Sequence, residues 1–154
     1  MQERLERLIP LRHALLLLTS LFSFSLNICA AEQPIIEVIT SDAYPVSGIQ
    51  SVQRLGFSVN VYNLDDGKRL VADLGRHLPN NQDAAKKALE KRFKKMGDVA
   101  VKQQFMKAYQ AVTLGTQYGL SRYPAVVFNH GESVVYGETN LIQALRLYQQ
   151  WKAK

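Results

Sequence analysis

The chain has 154 residues, 47% hydrophobic and 21% charged, with 9 Gly and 5 Pro, which excludes collagen-like, coiled-coil and wholly disordered readings and allows one domain. Its single cysteine excludes an intrachain disulfide and a multi-cysteine zinc site. Nineteen basic against thirteen acidic residues leave +6, a charge that permits nucleic acid or an anionic membrane as partner without requiring either.

The N-terminal segment carries Arg4, Arg7 and Arg12 against Glu3 and Glu6. An apolar run follows from Ala14 to Ile28, interrupted by Thr19, Ser20, Ser23, Ser25 and Asn27. Then come small residues, Cys29-Ala30-Ala31, and polar Glu32 and Gln33. A basic start, an apolar middle and a small-residue exit read as a secretory signal peptide over 1–31, cut after Ala30 or Ala31. The competing reading is a retained membrane anchor, because a run of this length nearly spans a bilayer. Its shortness and polar interruptions favour cleavage. A lipoprotein signal would want a small residue before Cys29, and Ile28 is not small. Cleavage carries Cys29 away. The remaining chain, 32–154, then has no thiol, a charge of +5 and no membrane span, and its expected place is an oxidising compartment.

Ile35 to Thr40 is short, β-branched and apolar, the mark of a buried strand. Ser41-Asp42-Ala43-Tyr44-Pro45 is turn-rich. Val46 to Gly56 reads either as loop or as a single helical turn. Phe57 to Leu64 alternates with period two, which puts Phe57, Val59 and Val61 on one buried face and leaves the other polar. Asp65-Asp66-Gly67 marks a turn before a helix carrying Leu70, Val71, Leu74 and Leu78 and ending before Pro79. Asn80 and Asn81 can cap the next helix, whose stripe is Ala85, Leu89, Phe93 and Met96. Gly97 ends it, Asp98 can cap another, and Val101, Phe105, Tyr109 and Val112 repeat the spacing there. Ala125 to Asn129 is a buried strand, His130-Gly131-Glu132 a hairpin connection, and Ser133 to Tyr136 the return strand. Asn140 caps the last helix, with Gln143 at the reciprocal position of a capping box and Leu141, Leu145 and Tyr148 facing inward.

Strand, loop, strand, helices, strand, hairpin, strand, helix is an α/β order. It is the thioredoxin-like arrangement, a central mixed sheet with helices packed on it, here as one domain over 32–154 behind the signal peptide. Pro124 directly precedes the first strand of the closing unit, where such folds place a cis peptide bond, so a cis Tyr123–Pro124 bond is expected over the commoner trans form. The loop after the first strand, where a redox thioredoxin carries two cysteines, reads Thr40-Ser41-Asp42-Ala43-Tyr44-Pro45-Val46. A hydroxyl forms no disulfide, so thiol exchange is excluded by missing atoms.

The candidate binding residues lie at that edge: Ser41, Asp42, Tyr44 and Pro45 with Tyr123 and Pro124. Tyr44 and Tyr123 are expected to meet there. Exposed, they would wall a peptide groove; buried, they are core. Tyr136 lies near a strand end as well. His77, near a helix C-terminus, and His130, in the hairpin, show no spacing that brings them to a carboxylate or serine, so no metal, cofactor or catalytic group is expected. Asp65-Asp66 reads as turn and cap. Lys86, Lys87, Lys91, Arg92, Lys94, Lys95 and Lys102 are either an anionic-partner surface, centred on Lys87, Lys91, Lys94 and Lys95, or a solvated face eased by a Glu90–Lys94 pair. The solvated face is favoured, because no aromatics interleave as nucleic-acid stacking would want.

Val38-Ile39-Thr40-Ser41-Asp42 with Tyr44-Pro45-Val46-Ser47-Gly48, Val61-Tyr62-Asn63-Leu64-Asp65, Tyr123-Pro124-Ala125-Val126-Val127 and Val134-Val135-Tyr136-Gly137-Glu138-Thr139 follow one another behind the signal peptide. In this order they resemble the thioredoxin-like proteins encoded by integrating conjugative elements of proteobacteria, over essentially all of 32–154. Asn63 and Gly67 depart from the more acidic and small residues expected there. The resemblance implies an exported accessory of conjugative type IV secretion, with protein components of the apparatus as partners and no catalytic residue. The reading is therefore a non-enzymatic periplasmic protein that binds protein or peptide. The alternatives are a thiol–disulfide oxidoreductase or isomerase, which requires Cys29 to be retained, and an accessory binding single-stranded DNA through the lysine-rich helix.

Overall fold

A computed structural model describes residues 34–154. The signal-peptide reading and Cys29 fall on residues 1–33, outside the described residues. The elements are β1 (Ile35–Thr40), α1 (Ile49–Arg54), β2 (Ser58–Asn63), α2 (Asp66–Gly75), α3 (Gln82–Met96), α4 (Asp98–Ala108), α5 (Gln110–Gln117), β3 (Ala125–Phe128), a 3-10 turn (Asn129–Gly131), β4 (Ser133–Tyr136) and α6 (Leu141–Lys152). They build an α/β fold around one mixed sheet in the order β2-β1-β3-β4. β1 pairs parallel with β2 and antiparallel with β3, and β3 pairs antiparallel with β4. The ambiguous stretch after Val46 is thus settled as α1, the crossover a parallel pair needs.

Apolar residues cover both faces of the sheet. On one face Ile36, Val38, Val126 and Phe128 pack with Val52 of α1 and with Leu141, Ala144, Leu145 and Tyr148 of α6. Phe128 and Tyr148 stack with ring centroids 4.2 Å apart and nearly parallel planes. On the other face Ile39 and Val127 pack with Ala111 of α5, joined by Tyr62, Leu64, Tyr118 and Leu120. The second cluster corrects the expectation that β2 has a polar face: Tyr62 is covered, because α5 lies on that side.

The expected face of β2 is corrected too. Phe57 and Val59 pack into the first cluster, but Val61 is 42% exposed. Six helical residues span only about 9 Å and six strand residues about 20 Å, so α1 cannot cover the whole strand. The single helix expected over 98–112 breaks at Tyr109 (φ −102°, ψ 8°) into α4 and α5. Tyr109 and Val112 then face solvent, and Ala108, Ala111 and Gly115 turn inward. Small residues let α5 approach the sheet closely. Tyr109 instead lays its ring over Gly67, where a Cβ would stand 2.8 Å from the ring.

The caps follow side-chain chemistry. Ala84 N–H donates to Asn81 Oδ1 (3.0 Å), and Ile142 N–H donates to Asn140 Oδ1 (3.0 Å), as expected at both N-caps. Gln143 does not complete a capping box. Glu138 Oε1 already accepts from Asn140 N–H (2.8 Å), and Gln143 turns to Arg146 instead. Asp98 lies in the first turn of α4 behind Gly97, the residue at the cap. α2 ends at Gly75, earlier than expected, and Arg92 of α3 donates to the carbonyls of Leu74 and Arg76. That guanidinium satisfies acceptors a helix end leaves open.

Candidate functional site

The loop between β1 and α1 is fixed by four separate elements. Thr40 Oγ1 donates to Tyr44 O (2.6 Å), and Tyr44 N–H closes a turn onto Ser41 O (3.0 Å). Asp42 N–H donates to Asp65 Oδ2 (2.9 Å), and Asn63 Nδ2 donates to Asp42 Oδ1 (2.7 Å). Arg69 bridges Asp42 and Asp66. Its guanidinium, and secondarily the Asn63 amide, hold the Asp42 carboxyl below its ordinary range. Asp65 occupies the N-cap position of α2, but its carboxylate serves the β1 loop. Further on, Ser47 N–H donates to Thr139 O (2.9 Å) and Leu141 N–H to Ser47 O (3.0 Å), stitching the loop to the start of α6. The residue blocks quoted above thus converge on the C-terminal end of β1.

Beside this loop lies an open depression of about 340 Å³, walled by Ser41, Asp42, Tyr44 and Pro45 on one side and by Val61 and Asn63 on the other. Tyr44 is 46% exposed. A smaller hollow of about 110 Å³ lies against the same strand, between Tyr62, Asp66, Lys107 and Gln110. β2 is an end strand of the sheet. Ser58 N–H donates to Pro34 O and Leu64 N–H to Thr40 O, so the amides of Val59, Val61 and Asn63 point away from β1.

The other two expected site residues stand apart from that depression. The Tyr123–Pro124 bond is cis, as expected. Pro124 is buried, its carbonyl accepts from Gly137 N–H (2.8 Å), and the Ile39–Ala125 register sets it across from the end of β1. Tyr123 is 43% exposed but leans toward α5, with its hydroxyl 3.5 Å from the place a Gly115 Cβ would take. Neither lines the depression with Tyr44. Both tyrosines are exposed, so neither is core. Tyr136 is half-buried, with the Arg122 guanidinium 5.2 Å from its ring centre.

Sequence spacing missed one convergence. Glu37, in the middle of β1, is only 4% exposed, and Tyr118 O–H donates to its Oε2 at 2.6 Å. His130 Nδ1 stands 3.4 Å from the same oxygen, so this histidine does reach a carboxylate. Burial first, and the hydrogen bond to Glu37 next, push the Tyr118 phenol up to about 12. Burial and Glu37 raise Tyr62 as well. The signal available in the sequence was a glutamate inside a β-branched run. Beyond Glu37 the turn is clamped to α6: Asn129 Nδ2 donates to Glu132 Oε2 (2.6 Å) and to Tyr148 Oη (3.0 Å), and Lys152 pairs with Glu132 (3.2 Å). His77 is exposed and left-handed (φ 55°), two residues past the end of α2. Among the described residues no three His, Cys, Asp or Glu side chains gather to hold a metal ion, and no helix is long and apolar enough to cross a membrane.

Lys87, Lys91, Lys94 and Lys95 are all exposed on α3. The expected Glu90–Lys94 pair is not formed among the described residues, and Arg92 is withdrawn to cap α2.

The fold and these sites define an α/β protein with a four-stranded mixed sheet and an exposed groove at one sheet edge. Residues 33–154 match the family described as "Protein of unknown function (DUF1525)", and the chain belongs to that family. No curated protein and no solved structure matches it.

Proposed function

We propose that this is a thioredoxin-like, exported accessory protein of a conjugative type IV secretion system. It holds an extended segment of a protein of that apparatus and performs no thiol chemistry. Support for the fold reading comes from the sheet order, with β3 antiparallel to its neighbours and a closing strand–strand–helix unit. Support for the absence of redox chemistry comes from the chain itself: residues 34–154 contain no cysteine. Export through the signal peptide, periplasmic residence and the conjugative role rest on the sequence pattern alone.

The observation that carries the binding reading is the shared wall of the depression. Tyr44 and Pro45 face Val61 and Asn63 across it, and β2 offers outward amides along its free edge. An extended peptide pairs its backbone with such an edge and seats alternate side chains in adjoining hollows. Tyr44 supplies a flat, amphipathic contact surface with few torsions to freeze. Tyr123 and Pro124 stand across β1 from the same loop, outside the depression and away from the free edge of β2, so exposed Tyr123 is proposed as a second, separate contact.

Replacing Tyr44 and Tyr123 together by alanine tests the reading. Conjugation frequency and recovery of the apparatus partner fall together, while the thermal midpoint changes little, because both side chains are exposed. Unchanged transfer and recovery refute the groove. Insulin reduction by the purified processed protein stays at background; turnover would establish the oxidoreductase reading instead.

A further inference from the structure

The lysine face of α3 is unabsorbed by that reading. α3 carries Lys86, Lys87, Lys91, Arg92, Lys94 and Lys95 against only Asp83 and Glu90. Lys87, Lys91, Lys94 and Lys95 fall within about 100° of helical arc and along about 12 Å of axis, one solvent-facing stripe. Among the described residues none of them has an acidic partner, and Arg92, the cation that could compete for one, is committed to the end of α2. Like charges at i,i+4, as in Lys87–Lys91 and Lys91–Lys95, oppose the helix they sit on. Asp83 stands four residues before Lys87 and Glu90 four before Lys94, yet among the described residues neither acid pairs with a lysine.

The next helix adds the second half. On α4, Val99 is 71% exposed and Met106 is 64% exposed, with Lys102 between them at i+3. By helical spacing these three share one stripe: apolar, basic, apolar. α3 and α4 follow one another across Gly97 and touch, so the two stripes belong to consecutive helices. Unpaired lysines on one helix and exposed aliphatic side chains on the next are the composition of a surface that rests on anionic lipid. The ammonium groups meet phosphate, and the aliphatic groups enter the acyl boundary. Single-stranded nucleic acid would call for stacking rings among the lysines, and α3 offers only half-buried Phe93, while exposed Tyr109 at the end of α4 is laid over Gly67.

From this juxtaposition we infer that the α3–α4 pair is a docking surface for an anionic phospholipid membrane, held by Lys87, Lys91, Lys94 and Lys95 with Val99 and Met106 as shallow apolar contacts. The protein lies on the surface without spanning it, which leaves the β2 edge free for a protein partner.

Co-sedimentation of the chain, purified as its own cells process it, with phosphatidylcholine vesicles containing phosphatidylglycerol tests this. The wild type binds these vesicles, binds pure phosphatidylcholine vesicles far less, and is released by salt. Each Lys→Gln change weakens partitioning about fivefold, so the variant with all four replaced loses more than about a hundredfold. The corresponding four-fold Lys→Arg variant keeps its binding, and Val99→Ser with Met106→Ser lowers affinity at every salt concentration. All variants share one N-terminus, so the differences report the stripe alone. Equal vesicle binding by the wild type and the Lys→Gln variant overturns the inference. So does a Lys→Arg variant that loses binding. A single-stranded oligonucleotide that binds through the same four lysines, with no vesicle binding, overturns it in favour of nucleic acid.

Discussion

Tyr118 donates its hydroxyl hydrogen to Glu37 Oε2 at 2.6 Å, on the α5 face of the central sheet. No lysine or arginine accompanies this buried carboxylate among the ion pairs of the described residues; its other neighbour is His130 at 3.4 Å. Tyr118→Phe keeps the ring and removes the donor. It leaves a buried acceptor short of a partner and costs about 1–3 kcal/mol at neutral pH, measured by urea unfolding.

The same pair sets an alkaline limit. An unfolded tyrosine ionises near pH 10, and folded Tyr118 ionises at about 12. The folded form therefore holds its proton longer than the unfolded form. The contribution is complete below about pH 10 and is lost as pH rises from there to about 12. Tyrosinate absorbance should show late-titrating phenols, Tyr118 with Tyr62 also raised, and Tyr118→Phe should remove the one near 12 and flatten that part of the stability profile. A wild type whose phenols all titrate together contradicts this.

Acid acts on the loop that follows β1. Arg69 first, then Asn63, hold Asp42 below its ordinary range. A depressed carboxylate stabilises the folded loop above its unfolded value, about 3.9, and that contribution disappears as pH falls through the folded value. Amide signals of Asp42 and Asn63 should shift in one step below about pH 4, and Asp42→Asn should remove the step. Because these groups are solvent-exposed, global stability should move little.

Gly131 has φ +104°, and a Cβ there would stand 3.2 Å from the Tyr118 ring. Gly131→Ala is therefore strained twice, in its backbone and against the residue that covers Glu37. A loss of about 1–3 kcal/mol is expected, with weakened amide protection at 129–131. Phe128→Ala removes one half of the Phe128–Tyr148 stack from the larger cluster and should cost about 3–5 kcal/mol. Full retention of the thermal midpoint by either variant would contradict the packing described.

Much of this architecture was legible because it is local. β-branched runs marked β1 and β3, and Asn81 and Asn140 marked their helix starts with the very bonds their side chains make. Apart from the capping box that Glu138 and Arg146 pre-empt at Gln143, the misreadings lie where distant segments decide the outcome. Periodicity runs through Tyr109 without a break, and only Gly67, a position empty of side chain, gives its ring a reason to turn aside. Alternation put Val61 inside, but the length of α1 left it out. Arg92 looked like one more surface cation because nothing near it in the chain announces the open carbonyls of Leu74 and Arg76. At the site, Asp42, Tyr44 and Pro45 were recognisable as an unusual turn, whereas the opposing wall from β2 required the sheet order.

The direct test of the central claim is site-specific photo-crosslinking in donor cells that carry the conjugative element. A photoreactive residue replaces Tyr44 or Val61, with Gln82 at the start of α3 as control. Crosslinks from positions 44 and 61 to one and the same protein of the transfer apparatus, absent from position 82, are the predicted result. Crosslinks from 82 alone, or none from either wall of the depression, would contradict the account.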